Sequence, residues 1–186
     1  LVLRGARQVG KTWLMKEFGK NCYKSFVYFN FDEEDELKSI FEVNKNPQRI
    51  VELLSLIAGE KILPERTLII FDEIQEVAQW EKAINSFRIE LDCDIYITGS
   101  NAKLLSGELA TVLGGRYVEF TIYPFSFAEF LELYRTIEPG ASDAAAFQQY
   151  LTLGGMPYLA NLRYAPEPCR QYLHDIYNSV VLNDVV

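Results

Sequence analysis

The segment Gly5-Ala6-Arg7-Gln8-Val9-Gly10-Lys11-Thr12 carries the residue types and spacing that point most directly to chemistry. Two glycines bracket a short loop that ends in a lysine and a hydroxyl residue, the pattern G-x-x-x-x-G-K-[ST]. Each type has a task. The glycines let the backbone wrap a diphosphate without side-chain clash, while amide N–H groups and the positive end of the next helix attract the anion. Lys11 is placed to reach the β- and γ-phosphates, and Thr12 offers a hydroxyl to Mg²⁺. The flanks agree. Leu1-Val2-Leu3 reads as a short buried strand, and Trp13-Leu14-Met15-Lys16-Glu17-Phe18 as the start of a helix. Residues Gly5 through Trp13 are therefore the expected nucleotide contacts.

A second chemical signal lies downstream. Thr67-Leu68-Ile69-Ile70-Phe71 is an apolar, β-branched run typical of a strand buried on both faces, and it ends in Asp72-Glu73. Carboxylates at the carboxyl end of a central parallel strand sit where open α/β sheets bind their ligands. Asp72 is expected to hold Mg²⁺ through water, and Glu73 to orient and polarise an attacking water. An acidic pair after a strand is by itself more often a solvated turn or a helix cap; the upstream loop gives it a role. The adjacent glutamate favours ATP over GTP hydrolysis.

These residues need a frame to hold them. Phe26-Val27-Tyr28-Phe29-Asn30-Phe31 reads as a second strand, and Asp32-Glu33-Glu34-Asp35-Glu36 opens a helix where negative charge suits the dipole. A further helix begins at Pro47 and presents Ile50, Leu53, Leu54 and Ile57 on one face. Val77, Trp80, Ile84, Phe87 and Leu91 recur at helical spacing, so Trp80 is expected in the core. Asp94 to Thr98 and Arg116 to Tyr123 give two more strands. Five strands joined by helical crossovers specify an α/β, three-layer, mainly parallel sheet. From Pro124 the pattern turns helical, with Ser126 and Ser142 as caps and an aromatic set at Tyr123, Phe125, Phe127 and Phe130. The expected division is a core over residues 1–123 and a helical lid over residues 124–186.

Three polar positions carry two readings each. Ser100 and Asn101 follow the strand that ends at Thr98, where one side chain senses the terminal phosphate or the other caps the next helix; Ser100 is the favoured sensor. Arg116, after Gly114-Gly115, either neutralises charge on a phosphate or is a surface arginine paired with an acid such as Glu119. His174 has no Cys or His partner at metal spacing and reads as structural.

GARQVGKT, LIIFDEIQE, YITGSNAKLL, GGRYVEFTIYPFSFAEFLE and YLTLGGMPYL occur in that order. Together they resemble the prokaryotic AAA+ superfamily ATPases that carry a further C-terminal domain. The resemblance implies a P-loop NTPase core with a helical lid, ATP and Mg²⁺ as ligands, and hydrolysis that drives lid and core against each other. It implies that Arg116 is a sensor or arginine finger, acting in its own chain or on a neighbouring subunit of a homo-oligomer, and that Pro157 lies near the base or sugar. It also implies an attached domain or partner protein that the hydrolysis acts upon. Two departures stand out: Gly154-Gly155-Met156-Pro157 offers no second sensor arginine, with Arg163 the nearest, and the stretch ahead of the first strand that often contributes adenine contacts in such proteins is expected to be missing.

Bulk properties narrow the choice. With 186 residues, 49% hydrophobic and 24% charged, the chain reads as one ordinary soluble domain with an appendage. A net charge of −8 argues against direct nucleic-acid binding by a broad surface of this segment. No apolar stretch approaches a membrane span, and Cys22, Cys93 and Cys169 lack metal spacing, so a reduced cytoplasmic setting is expected. Leu1 already lies in a strand and the last residues read as an unfinished helix, so the chain is expected to be trimmed at both ends. A GTPase would need an aspartate that Asn44-Lys45-Asn46-Pro47 lacks, and a small-molecule kinase a lid richer in arginine. A non-hydrolysing nucleotide switch stays open as the alternative to an Mg²⁺-dependent ATPase.

Overall fold

The computed structural model describes residues 1–99 and 113–180. Strands β1 (Val2–Arg4), β2 (Ser25–Asn30), β3 (Thr67–Asp72), β4 (Ile95–Thr98) and β5 (Glu119–Thr121) form one sheet in the order β2-β3-β4-β1-β5. Every adjacent pair is parallel. Among the described residues the α-helices are α1 (Lys11–Cys22), α2 (Asp35–Val43), α3 (Pro47–Ala58), α4 (Trp80–Glu90), α5 (Phe127–Ile137), α6 (Asp143–Leu153) and α7 (Pro166–Val180). The expected α/β P-loop fold is the one observed. The chain forms two compact units, Leu1–Gly5 with Lys11–Thr121, and Ala6–Gly10 with Ile122–Val186.

Connectivity explains the layers of the first unit. From β1 the chain passes through α1 to the far edge at β2, then returns strand by strand through α2, α3 and α4. Right-handed crossovers that run in opposite directions put α1 on one face and the returning helices on the other. Accordingly α1 packs on β2, β3 and β4, while α3 packs with α2 and α4. In such sheets the ligand crevice opens at the carboxyl ends of the strands, where the direction of the connections reverses.

Alternation along β3 aims the acid. Phe71 is fully buried, with the rings of Phe29, Phe31, Phe41 and Phe87 centred 5.7 to 6.1 Å from its own. Such ring pairs contribute about 0.5–1.5 kcal/mol each beyond burial. With Phe71 fixed toward the returning helices, Asp72 projects to the α1 face. Trp80 is part of the same core, as its helical spacing predicts.

Three elements differ from their sequence patterns. β5 is shorter than the run Arg116 to Tyr123, because Gly115 makes a left-handed turn (φ 71°) and Pro124 lacks a backbone donor. Ile57 is half exposed, since α3 ends one residue later in a left-handed Gly59 cap. The short helix near Tyr158 is a 3-10 turn, Pro157–Ala160.

The second unit has its own aromatic core. Ser126 and Glu129 form a reciprocal cap on α5, and Ser142 caps α6 through the amide of Ala145. Phe130 stacks on Tyr134 and meets Tyr150 at a tilt and Tyr164 edge-on, at 5.0 to 5.3 Å, and Phe127 meets Phe147 and Tyr150. Phe127 and Phe130 therefore build the interior of this unit, whereas Tyr123 is exposed. Gly155 is buried against the backbone of Phe125: its carbonyl accepts from the Phe125 amide at 2.7 Å, and an added Cβ would stand 2.1 Å from the Phe125 oxygen. That atom is backbone and also accepts from the Tyr150 hydroxyl at 2.9 Å, so it has little room to give. Gly155→Ala is expected to destabilise this unit by about 1–3 kcal/mol. Calorimetric melting and limited proteolysis between Pro124 and Val180 will show it as an earlier transition.

Candidate nucleotide-binding site

β1 delivers the chain into the loop at Gly5, and α1 begins at Lys11. Gly10 has φ 95°, a conformation that L side chains rarely adopt, and no heavy atom lies within 4 Å of where its Cβ would be. Glycine is needed here for its backbone rather than for space. Gln8 is also left-handed (φ 62°) and Gly5 has φ 151°, so the loop has positive φ at three positions before the right-handed helix that follows. Lys11 is buried to 6% exposure and donates from Nζ to the Gly5 carbonyl at 3.0 Å, which ties the two ends of the loop together.

Asp72 is the centre of the polar network. It is 3% exposed, and three hydroxyls from three elements donate to it. Thr12 Oγ1 on α1 reaches Oδ2 at 2.6 Å, and Tyr28 on β2 reaches the same oxygen at 2.8 Å. The Thr98 hydroxyl at the end of β4 donates to Oδ1. Sheet register explains the convergence: Phe71 pairs with Ile97, so the next residues, Asp72 and Thr98, leave the sheet side by side on one face. A buried carboxylate is costly unless hydrogen-bonded, and these donors meet that cost. Burial, together with the Asp72 charge and the bond to it, pushes the Tyr28 phenol well above its usual titration range, so Tyr28 stays a donor.

Glu73 is held differently. Its backbone is left-handed (φ 53°), which costs a non-glycine residue about 1–3 kcal/mol. Its amide N–H donates to Thr98 Oγ1 at 3.4 Å, and its Oε2 accepts from Gln75 Nε2 at 2.6 Å. The other side-chain atom of Gln75, Oε1, is buried with no hydrogen-bond partner.

Of the residues singled out in the sequence, Lys11, Thr12, Asp72 and Glu73 come together. Trp13 opens α1 and is 67% exposed. Ser100 and Asn101 lie outside the described residues. Pro157 begins the 3-10 turn of the second unit, and His174 is exposed on α7. Arg116 does not join the cluster. It precedes β5 and so sits at the amino end of a parallel sheet, whereas Asp72 lies at the carboxyl end. There Arg116 Nη1 donates to Asn85 Oδ1 at 3.5 Å and lines a cleft of about 350 Å³ with Leu1, Thr67, Arg88 and Ile95. Glu119, its supposed ion-pair partner, is taken by Arg4 at 2.8 Å. Thr98, Tyr28 and Gln75 are site residues that motif reading passes over. For Thr98 a signal existed, a hydroxyl ending the strand that neighbours β3.

The donor set suits Mg²⁺. A threonine hydroxyl and an aspartate carboxylate, 2.6 Å apart, are hard oxygen donors beside a lysine at a helix start. Among the described residues no group of three His, Cys, Asp or Glu side chains forms a separate metal cluster. A family model described as an AAA domain matches residues 1–131. The chain belongs to the AAA domain family. An uncharacterized protein of Haemophilus influenzae is 35% identical to it over 99% of this chain and 45% of the relative. An uncharacterized protein of Methanocaldococcus jannaschii is 32% identical over 95% of this chain and 40% of the relative. The chain thus spans less than half the length of these curated relatives. A mutant of RuvB from Thermotoga maritima superposes with a TM-score of 0.57 at 17% identity, over 97% of this chain and 60% of that one. That likeness is one of fold. The AAA domain is a nucleotide-binding P-loop module, and no helix among its described residues is long and apolar enough to cross a membrane.

Proposed function

We propose that this AAA domain binds ATP with Mg²⁺ and hydrolyses it to ADP and inorganic phosphate. The observation that carries the reading is the convergence of Lys11, Thr12, Asp72 and Glu73 at the carboxyl ends of β1 and β3. Gly5, Ala6, Arg7, Gln8, Val9, Gly10 and Trp13 line the phosphate path, and Lys11 leaves the Gly5 carbonyl to neutralise the β- and γ-phosphates. Thr12 and Asp72 hold the cation, which when bound withdraws charge from the phosphate oxygens. Glu73 orients the attacking water and accepts its proton as the water oxygen bonds to the γ-phosphorus and the β–γ bridging oxygen departs with ADP. Ser100 senses the γ-phosphate, and Pro157 contacts the base or sugar.

Arg116 serves a neighbouring copy in a homo-oligomer, because the sheet stands between it and its own Asp72. The helices after Pro124 act as a lid, and ATP turnover moves lid against core to bias an attached domain or partner protein. Direct contact with nucleic acid is not part of this reading, since the chain carries a net charge of −8. The same position of Arg116 favours a second state: an isolated chain does not bring Arg116 to its own site and holds ATP without turning it over, as a nucleotide-dependent switch.

Lys11→Ala removes a charge-assisted contact to phosphate and is expected to weaken ATP binding by about ten- to a hundredfold. Titration calorimetry with and without Mg²⁺ measures it. Wild-type affinity in this variant would refute the assignment of the loop.

A further inference from the structure

The Asp72 carboxylate receives one more donor than a cation site of threonine and aspartate requires. Thr12 and Tyr28 both donate to Oδ2, and Thr98 holds Oδ1. Thr12 is the member of this set with a prospective job toward the cation. Thr98 is fully buried and also receives the Glu73 amide, so it belongs to the frame. Tyr28 is left as a long, aromatic donor that reaches across from the next strand: Tyr28 pairs in register with Ile70, two residues before Asp72. Side chains two apart on a strand share a face, so the phenol lies along the sheet and meets the acid end-on.

The ring is itself held from above. Lys16 follows Thr12 by four residues on α1, one turn on and on the same side, and its Nζ stands 3.4 Å from the centre of the Tyr28 ring. An ammonium over an aromatic face is attracted to the ring quadrupole. It also draws electron density from the phenol and makes its O–H a stronger donor. One helix face thus supplies both Thr12, which touches Asp72 directly, and Lys16, which acts on it through Tyr28.

We propose that Tyr28, braced by Lys16, is a positioning residue that sets the Mg²⁺ affinity of the site by fixing the rotation of the Asp72 carboxylate. With the phenol in place, Oδ2 keeps one fixed donor while the Thr12 hydroxyl turns its lone pairs to the cation. Without it, Oδ2 depends on Thr12 alone, and cation binding has to fix the carboxylate as well. The inference rests on the reading of Thr12 and Asp72 as the cation site. Groups that orient a metal-binding carboxylate typically change metal affinity by ten- to a hundredfold.

The test compares ATP affinity of the whole chain in EDTA and in saturating Mg²⁺, by calorimetry, for wild type, Tyr28→Phe and Lys16→Met. Tyr28→Phe is expected to leave the EDTA affinity unchanged and to cut the gain given by Mg²⁺ about tenfold. Lys16→Met, which keeps length without charge, is expected to shift the same ratio in the same direction by less. A role confined to packing would weaken ATP binding in both conditions, and that parallel loss overturns the inference. So does an unchanged ratio in both variants, while wild type still shows a gain. If wild type shows no gain from Mg²⁺, the cation site itself is wrong and the inference falls with it. Should Tyr28→Phe fold poorly, the Lys16→Met ratio decides alone, because its side chain is partly exposed at the helix surface.

Discussion

Glu73→Gln is expected to bind ATP and Mg²⁺ as the wild type does and to lose turnover by about 10²- to 10⁴-fold. The substitution changes one atom and keeps the shape. The Gln75 amide that donates to Glu73 Oε2 at 2.6 Å can donate equally to a glutamine carbonyl, so the side chain stays where it is. The backbone is already committed, with Glu73 left-handed and its amide N–H on Thr98. What disappears is the capacity to accept a proton from water. Phosphate release measured beside calorimetric ATP binding separates the two effects. Retained turnover would remove Glu73 from the mechanism, and loss of binding would make its role structural. Asp72 is the useful contrast, since its carboxylate is 3% exposed and already accepts from Thr12, Tyr28 and Thr98.

Most of the frame was legible in the residues because burial on both faces leaves an unmistakable run. Thr67 to Asp72 is buried at every position, and helical crossovers between such strands specify a mainly parallel sheet, although its order β2-β3-β4-β1-β5 is not written in the local pattern. The loop from Gly5 to Thr12 was legible because backbone demands there admit few residues, as φ 95° at Gly10 illustrates. Edges were read less well. β5 is exposed along its length, and an exposed strand has no burial pattern to mark where it stops. The aromatic set from Tyr123 to Phe130 carried a period but no address: the spacing identified an apolar face and could not say that Phe130 would meet Tyr164. The hydroxyl network around Asp72 was invisible for a related reason. Tyr28 in an aromatic strand looks like one more core residue until register sets it beside the acid. Long-range partners of this kind depend on pairing across the sheet, which local spacing does not encode.

Arg116→Ala is expected to lower turnover by about 10³-fold while ATP affinity is kept, and the loss should be curable by a second defective protein. The geometry gives the reason. Parallel strands send residues that precede β5 to one end of the sheet and residues that follow β3 to the other, so Arg116 and Asp72 of one chain are separated by the length of the strands, on the order of 15 Å. At its own end Arg116 is exposed and shares Asn85 Oδ1 with Arg88, at 3.5 and 3.3 Å. These are long contacts through which a guanidinium gives up little when it turns to a phosphate. A head-to-tail contact between copies would present it to the carboxyl end of the next sheet. Mixing Arg116→Ala with Glu73→Gln then creates interfaces in which one chain supplies an intact glutamate and the other an intact arginine. Random mixing in equal amounts should restore roughly a quarter of wild-type turnover, since each such interface has one competent arrangement in four. Turnover that stays absent in the mixture would place both residues in one chain's site and contradict the separation. Full activity of Arg116→Ala alone would return Arg116 to the surface. Recovery in the mixture, together with specific activity that rises with concentration in the wild type, makes assembly a condition of hydrolysis.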